Sequence, residues 1–213
     1  MNTNKKNLAV FVSGTGTNFI AVQEAILDGR INGNIALLIS SRPDAPALEK
    51  AKNYIIPSSV ISEKDHSHPD EYANEILERL QDHKIDFIIL AGFLKKIPDK
   101  VIKQYKHKII NIHPALLPKF GGKGMYGIHV HEAVIKAQEK ETGVTVHFVD
   151  EEYDHGPTIM QRKVPVEPAD TPDILQKRVL REEHRILPEV VELLCMDRIK
   201  IINREVVIDE KGE

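Results

Sequence analysis

Asn111-Ile112-His113-Pro114 places an amide and an imidazole two residues apart. In a strand, Asn111 and His113 share one face about 7 Å apart at Cα, while Ile110 and Ile112 point the other way. An amide donor beside an imidazole suits a reacting carbonyl: Asn111 donates to a developing oxyanion, and His113 moves protons or stabilises charge. A lone histidine is more often a hydrogen-bonded core side chain. The neighbouring asparagine and the Gly/Pro-rich loop that follows reverse that preference.

A second constellation, Ser13-Gly14-Thr15-Gly16-Thr17-Asn18, lies between an apolar run and a helix-period segment. Glycines let the backbone approach a ligand, and a helix start offers N–H groups and a positive dipole end, which together suit a phosphate. The loop lacks the lysine of a nucleoside-triphosphate loop. Phe19 stands where the dinucleotide fingerprint wants Gly or Ala. A single phosphate therefore fits better than a pyrophosphate, against the plainer reading of a tight strand-to-helix turn. The acidic stretch Asp150-Glu151-Glu152-Tyr153-Asp154, followed by His155-Gly156-Pro157, reads first as a solvated turn. A carboxylate from it, if paired with His113, would raise that histidine's pKa and favour the imidazolium. His66/His68 and His129/His131 are possible metal pairs, but neither brings a cysteine or a helical His-Glu-x-x-His pattern, so structural or solvated roles are expected and no metal.

These residues need a scaffold. Short apolar runs at Leu8–Val12, Ile35–Ile39, Phe87–Ala91 and Ile109–His113 look like strands buried on both faces of a parallel sheet. Helical spacing fills the gaps at Asn18–Leu27, Pro46–Asn53 and Pro69–Leu80. The alternation predicts an α/β fold, a single-domain, mostly parallel, doubly wound (Rossmann-like) sheet. After a Gly/Pro-rich loop from Pro114 to His129, a helix is expected over Val130–Gln138. Two β-rich stretches, Thr142–Val149 and Thr158–Val166, then form an antiparallel C-terminal extension. Thr171-Pro172-Asp173 starts a last helix running toward Met196, which Pro188 should kink or break. Ile199–Ile208 suggests a short terminal hairpin or strand. One domain over residues 1–213 is expected, with its core about 8–195 and a tail from 196 to 213.

The composition narrows the partners. In 213 residues, 29 Lys+Arg face 32 Asp+Glu for a net charge of −3, which leaves no cation excess for a nucleic acid. There is no Trp and only six Phe and five Tyr, a weak basis for base stacking. No apolar run nears the ~18 residues that span a bilayer, and Cys195 alone builds no disulfide framework. A cytoplasmic protein with small-molecule substrates, no nucleic acid and no membrane is the expectation, as a monomer or homodimer.

The motifs occur in an order that resembles a known family. Ser13-Gly14-Thr15-Gly16-Thr17-Asn18, Leu90-Ala91-Gly92-Phe93-Leu94, Asn111-Ile112-His113-Pro114-Ala115-Leu116-Leu117-Pro118-Lys119-Phe120, Gly143-Val144-Thr145-Val146-His147-Phe148-Val149 and Asp154-His155-Gly156-Pro157 are similar to the phosphoribosylglycinamide formyltransferases of purine synthesis. The resemblance runs from about Leu8 to Leu194. It implies transfer of the formyl group of 10-formyltetrahydrofolate, as co-substrate, to the amine of 5-phosphoribosylglycinamide, through a tetrahedral intermediate and without a metal.

By this resemblance Asn111 binds the oxyanion, His113 is the general acid and Asp154 pairs with it. Gly16, Thr17 and Asn18 match the loop holding the substrate phosphate. Leu180, Arg181, Glu182 and Glu183 match a helical segment on the same substrate, with Glu183 toward the glycinamide end. The folate pterin is implied along Leu94, Lys95, Lys96 and Ile97 and along the backbone of Asp150, Glu151, Glu152, Tyr153 and Asp154.

Two features depart from the family pattern. His66-Ser67-His68-Pro69 stands where relatives carry an arginine toward the folate tail, leaving Lys64 or His68 as substitutes. Lys123-Gly124-Met125-Tyr126-Gly127 lengthens the loop after Phe120, which is expected to cover the site and change mobility on ligand binding. The rival readings are a formyltetrahydrofolate hydrolase, whose relatives carry a preceding small domain, and a methionyl-tRNA formyltransferase, which would add a carboxyl-terminal nucleic-acid-binding domain. From a different class comes a non-catalytic nucleotide-phosphate binding module.

Overall fold

The computed structural model describes residues 5–203 and 205–209. Two compact units meet in the chain between Ile110 and Asn111.

The first unit alternates strand and helix: β1 (Lys6–Val12), α1 (Thr17–Leu27), β2 (Gly33–Ser40), α2 (Pro46–Asn53), β3 (Ser58–Val60), α3 (Pro69–Asp82), β4 (Phe87–Leu90) and α4 (Asp99–Gln104). The strands are parallel in the order β3-β2-β1-β4. In β1, Leu8 to Val12 are fully buried, the pattern of a strand covered on both faces. Val10 pairs with Leu38 on one side and Ile89 on the other. Sequence order therefore runs one way from β1 through β2 to β3, and restarts on β1's other side with β4. Ligands of open α/β sheets bind beyond the carboxyl ends of strands at such a reversal, and Ser13-Gly14 emerges there. Helix α3 shows why its residues are helical: Tyr72, Ala73, Ile76, Leu77 and Leu80 form one buried stripe. Its first turn is held by the Glu71 carboxylate, which accepts from the N–H groups of Ser67 and His68 at 3.0 and 3.3 Å.

Two elements here are absent from the sequence reading. Strand β3 is Ser-Ser-Val, three residues with no apolar run, and α4 has only six residues; both are too short for a periodicity signal.

Strand β5 (Ile109–His113) carries the chain into the second unit, which continues with α5 (Ile128–Lys136), β6 (Glu141–Phe148), β7 (Thr158–Pro165) and α6 (Pro172–Cys195). Strands β6 and β7 pair antiparallel, Val144 opposite Arg162, as the extension anticipated. The sheet is thus mostly parallel and doubly wound, with an antiparallel extension. Helix α6 starts as expected, Thr171 Oγ1 accepting from the Ile174 N–H.

Pro188 does not break α6, which stays helical for 24 residues. A proline forfeits one backbone bond and crowds the preceding turn. Buried Ile186, Leu187, Val190, Val191 and Leu194 hold the helix through that defect. After α6, β8 (Ile199–Ile202) and β9 (Glu205–Ile208) form a separate antiparallel pair, the hairpin alternative for the tail. Among the described residues no helix is long and apolar enough to cross a membrane.

Candidate active site

Strand alternation puts Asn111 and His113 on one face of β5, as the sequence required, and the structure adds His147 from β6 and Asp154 from the turn between β6 and β7. The His113 ring is almost fully buried. Its Nε2 lies 2.8 Å from the Phe120 carbonyl, an acceptor, so this nitrogen carries a proton. Its Nδ1 faces Asp154 Oδ2 at 3.5 Å. The Asp154 carboxylate is shared among four groups: Oδ2 also accepts from the Gly122 N–H at 2.8 Å, and Oδ1 accepts from Asn111 Nδ2 at 3.4 Å and lies 3.6 Å from His147 Nε2.

His147 fixes the asparagine. Its Nδ1 meets the Phe148 carbonyl, an acceptor, at 2.8 Å, and in the tautomer that places the proton there Nε2 accepts from Asn111 Nδ2 at 3.1 Å. With an acceptor at His147 and a carboxylate at Asp154, the Asn111 side chain is oriented nitrogen-inward. Both N–H bonds of its amide then point at protein acceptors. An oxyanion stabilised by Asn111 must take the place of one of them.

Local backbone geometry makes these contacts possible. Asp154 itself sits at φ +55°. Gly156 leaves no room for a side chain, because a Cβ there would lie 1.9 Å from the Phe148 carbonyl oxygen. That closeness folds the acidic turn back onto β6 and brings Asp154 under His113. Behind β5, Thr145 Oγ1 donates to the Ala115 carbonyl at 2.7 Å and accepts from the Leu117 N–H at 3.1 Å and Gln161 Nε2 at 2.9 Å. This bracket holds the segment leading from His113 to Phe120, which includes a cis Leu117–Pro118 bond.

The electrostatics correct one expectation. Asp154 does reach His113 and does favour its charged form, but burial outweighs the carboxylate and the His113 pKa lies below its ordinary 6.5. Burial alone would raise Asp154. Its contacts with His147, His113 and the Gly122 N–H reverse that, and its pKa falls below 3.8. His131, buried on α5, is pushed down to about 4 by desolvation and by neighbouring His113. His129 on the same helix pairs with Glu132 instead. His66 lies between the Ser62 carbonyl and Glu75, while His68 precedes the first turn of α3. Among the described residues no three His, Cys, Asp or Glu side chains gather as a metal site.

In the first unit, Gly16 is the residue before α1, at φ +68°, and brings no side-chain cap to the positive dipole end of the helix. Ser13 Oγ ties the loop down, 2.7 Å from Ser41 Oγ and accepting from the Leu94 N–H at 2.9 Å. Of the stretch after β4, Ile97 is buried, Leu94 is half exposed, and Lys96 pairs with Asp99 at 3.1 Å. In the second unit the acidic turn is partly self-bonded, with Asp150 accepting from the Glu152 N–H and contacting His155; Glu151 and Tyr153 stay exposed. Leu180 to Glu183 lie on α6, and the Glu182 carboxylate is turned to Arg185 at 2.6 Å and Arg162 at 3.9 Å.

A family model described as formyl transferase matches residues 6–191. The chain is 45% identical over 197 residues to a chloroplastic phosphoribosylglycinamide formyltransferase of Arabidopsis thaliana, covering 92% of this chain and 68% of the relative. It is 36% identical over 207 residues to the Haemophilus influenzae phosphoribosylglycinamide formyltransferase, covering 97% and 95%. This chain belongs to the phosphoribosylglycinamide formyltransferase family. The glycinamide ribonucleotide transformylase 1 of Symbiobacterium toebii superposes with a TM-score of 0.91 at 34% identity, over 98% of this chain and 95% of that one. Longer family members also occur: the chain spans only 62% of the Vigna unguiculata relative.

Within the family reading, the predicted trio Asn111, His113 and Asp154 converges, and His147 joins it. The sequence held one overlooked signal for His147. Thr145 and His147 alternate on β6 as Asn111 and His113 do on β5, so two polar pairs share faces in otherwise apolar strands.

Proposed function

We propose that this chain transfers the formyl group of 10-formyltetrahydrofolate to the amine of 5-phosphoribosylglycinamide, with Asn111, His113 and Asp154 as the reacting-centre residues. The observation that carries the assignment of roles is the shared carboxylate: Asp154 contacts His113 through one oxygen and Asn111 through the other. The substrate amine attacks the formyl carbon, and the carbonyl oxygen becomes an oxyanion. Asn111 turns one amide N–H to that oxygen, while its contact with His147 keeps the amide in orientation. As the carbon–nitrogen bond to the folate breaks, His113 protonates the departing N10, and the attacking nitrogen loses a proton in exchange. Asp154 supports the imidazolium within a buried setting that otherwise disfavours charge.

The depressed His113 pKa makes its protonated form a stronger acid, at the cost of a smaller protonated fraction near neutrality. Gly16, Thr17 and Asn18 are assigned to the substrate phosphate, and Leu180, Arg181, Glu182 and Glu183 to the same substrate. The pterin is assigned to the stretches Leu94–Ile97 and Asp150–Asp154.

The deciding assay follows the ultraviolet change as 10-formyltetrahydrofolate loses its formyl group. Turnover is expected only with glycinamide ribonucleotide present. Turnover without the amine identifies a hydrolase, and none in either case a binding module.

A further inference from the structure

One imidazole fastens the segment that joins β3 to α3. The segment leaves the carboxyl end of β3, where the Ile61 N–H donates to the Ser40 carbonyl at 2.9 Å, makes a single helical turn over Glu63–Asp65 and enters α3 at Pro69. Ser13 and Leu94 leave β1 and β4 at the same carboxyl edge, the one at which ligands of such sheets bind. The His66 side chain is only 13% exposed and packs on Tyr72 of α3, with ring centroids 5.5 Å apart. Its Nδ1 lies 2.9 Å from the Ser62 carbonyl, and its Nε2 lies 2.7 Å from Glu75 Oε2. A carbonyl and a carboxylate both accept. A neutral imidazole has one N–H and serves only one of them, whereas the imidazolium serves both.

We propose that His66 is a pH-sensitive latch: as an imidazolium it ties the Ser62–His68 strap to α3 through Glu75, and on losing a proton it lets the strap go. The groups that face the ring agree in sign. The Ser62 carbonyl acts most strongly, and with Glu75 from α3 and Asp65 from the strap it holds the His66 pKa above the ordinary 6.5 against the cost of burial. Tyr72 has its hydroxyl pushed up to about 12 by burial and by Glu63, so it stays neutral while His66 titrates. A raised value in the fold fixes the direction. The latch contributes fully below pH 6.5 and is lost as pH rises through the folded-state value. Ser67 and His68 keep their N–H bonds to Glu71 in the first turn of α3, so freedom is gained upstream, over Glu63–His66.

NMR of the full chain reads the latch directly. At pH 6 both ring nitrogens of His66 are expected to carry protons, and the ring should titrate above 6.5. The Asp65 and His66 amides, bonded to the Ser62 and Glu63 carbonyls at 3.0 and 3.3 Å, report the order of the strap. Their hydrogen exchange, corrected for its intrinsic pH dependence, should quicken about 10-fold between pH 6 and pH 8.5, the size of one charge-assisted bond, while Ile76 and Leu77 in α3 stay level. Glu75→Gln should bring the His66 titration back toward 6.5, and His66→Gln should make strap exchange independent of pH.

A His66 ring that titrates at or below 6.5, or strap exchange equal at the two pH values, overturns the latch. Should His66→Gln fold poorly by thermal melting, the wild-type titration and Glu75→Gln still decide. The strap carries exposed Lys64 at the ligand edge, and resting on the formyl-transfer reading above, its release should raise KM for the anionic 10-formyltetrahydrofolate about threefold, with kcat level. That rise should be missing from His66→Gln. A latch seen by NMR without the rise removes its link to the folate, and a chain that never turns over the folate removes the formyl-transfer reading while the NMR result stands.

Discussion

Thr145→Val tests whether the bracket behind β5 holds the segment from His113 to Phe120. Valine matches threonine in shape, so the change removes a hydroxyl with little disturbance of packing. Three hydrogen bonds go: the donation to Ala115, and the acceptances from Leu117 and Gln161. Gln161 keeps its second bond, to the Leu117 carbonyl at 2.9 Å, and can turn to water. The Ala115 carbonyl is less fortunate, because Ala115 and Thr145 are fully buried, and the Leu117 N–H, on a half-buried residue, loses its partner as well. Leaving a buried polar group unpaired costs about 1–3 kcal/mol, so the carbonyl and the half-buried N–H together amount to roughly 2–4 kcal/mol. For a chain of this size that corresponds to a fall in Tm of roughly 5–12 °C, or to a drop in urea midpoint of about 1–2 M at a slope near 2 kcal/mol/M. Thr145→Ser keeps the hydroxyl and should lose less than about 1 kcal/mol. Calorimetry and urea titration of both variants provide the measurement. A Thr145→Val protein that melts within about 1 °C of the wild type would refute the reasoning, since it would mean these groups find other partners at no cost.

Other outcomes follow from the same geometry. His113→Ala should lower kcat about 10²-fold or more if the ring supplies general acid catalysis, and unaltered turnover removes it from the mechanism. In Asp154→Asn the carboxylate that opposes burial is gone, so the NMR titration of His113 should move further below 6.5; a shift upward contradicts the balance described above. Both His113 and Asp154 are held below their ordinary values, so the unfolded chain binds their protons first and stability rises with pH. That contribution is complete above pH 6.5 for His113 and above 3.8 for Asp154, and is lost as pH falls through each folded pKa, which urea midpoints across pH 3–8 will trace. Ile55 is a β-branched residue at φ +57° and 91% exposed, so Ile55→Gly should relieve strain and stabilise by about 1 kcal/mol, read as a Tm rise of about 2–4 °C.

Much of this architecture is legible in the sequence because its signals are local. Leu8 to Val12 read as a doubly covered strand from their types alone, and the bounds of α2 from Pro46 to Asn53 coincide with the helix found. Asn111 and His113 were recognisable since strand alternation couples residues two apart. What escaped is what depends on distant segments. His147 matters through Asn111, 36 residues earlier, and Lys50 reaches a loop carbonyl 35 residues before it. The fate of Pro188 was decided by apolar neighbours rather than by propensity. The sign of the His113 shift required weighing a carboxylate against burial, and only the fold reveals how deep that ring lies.

The contact between Gly16 and Ala47 links two positions that a scan of the loop before α1 alone would treat as separate. If that loop holds the substrate phosphate as proposed, a side chain at 16 would weaken substrate binding, and the loss would be credited to the phosphate. Part of it would come from α2 being lifted away, since no space exists between the two residues. Glycine at 47 would then rescue some of the damage at 16, whereas valine at 47 would mimic it with the loop sequence untouched. The loop's conformation is therefore inherited partly from the size of a side chain in a neighbouring helix, and redesign of the loop has to treat 16 and 47 as one unit.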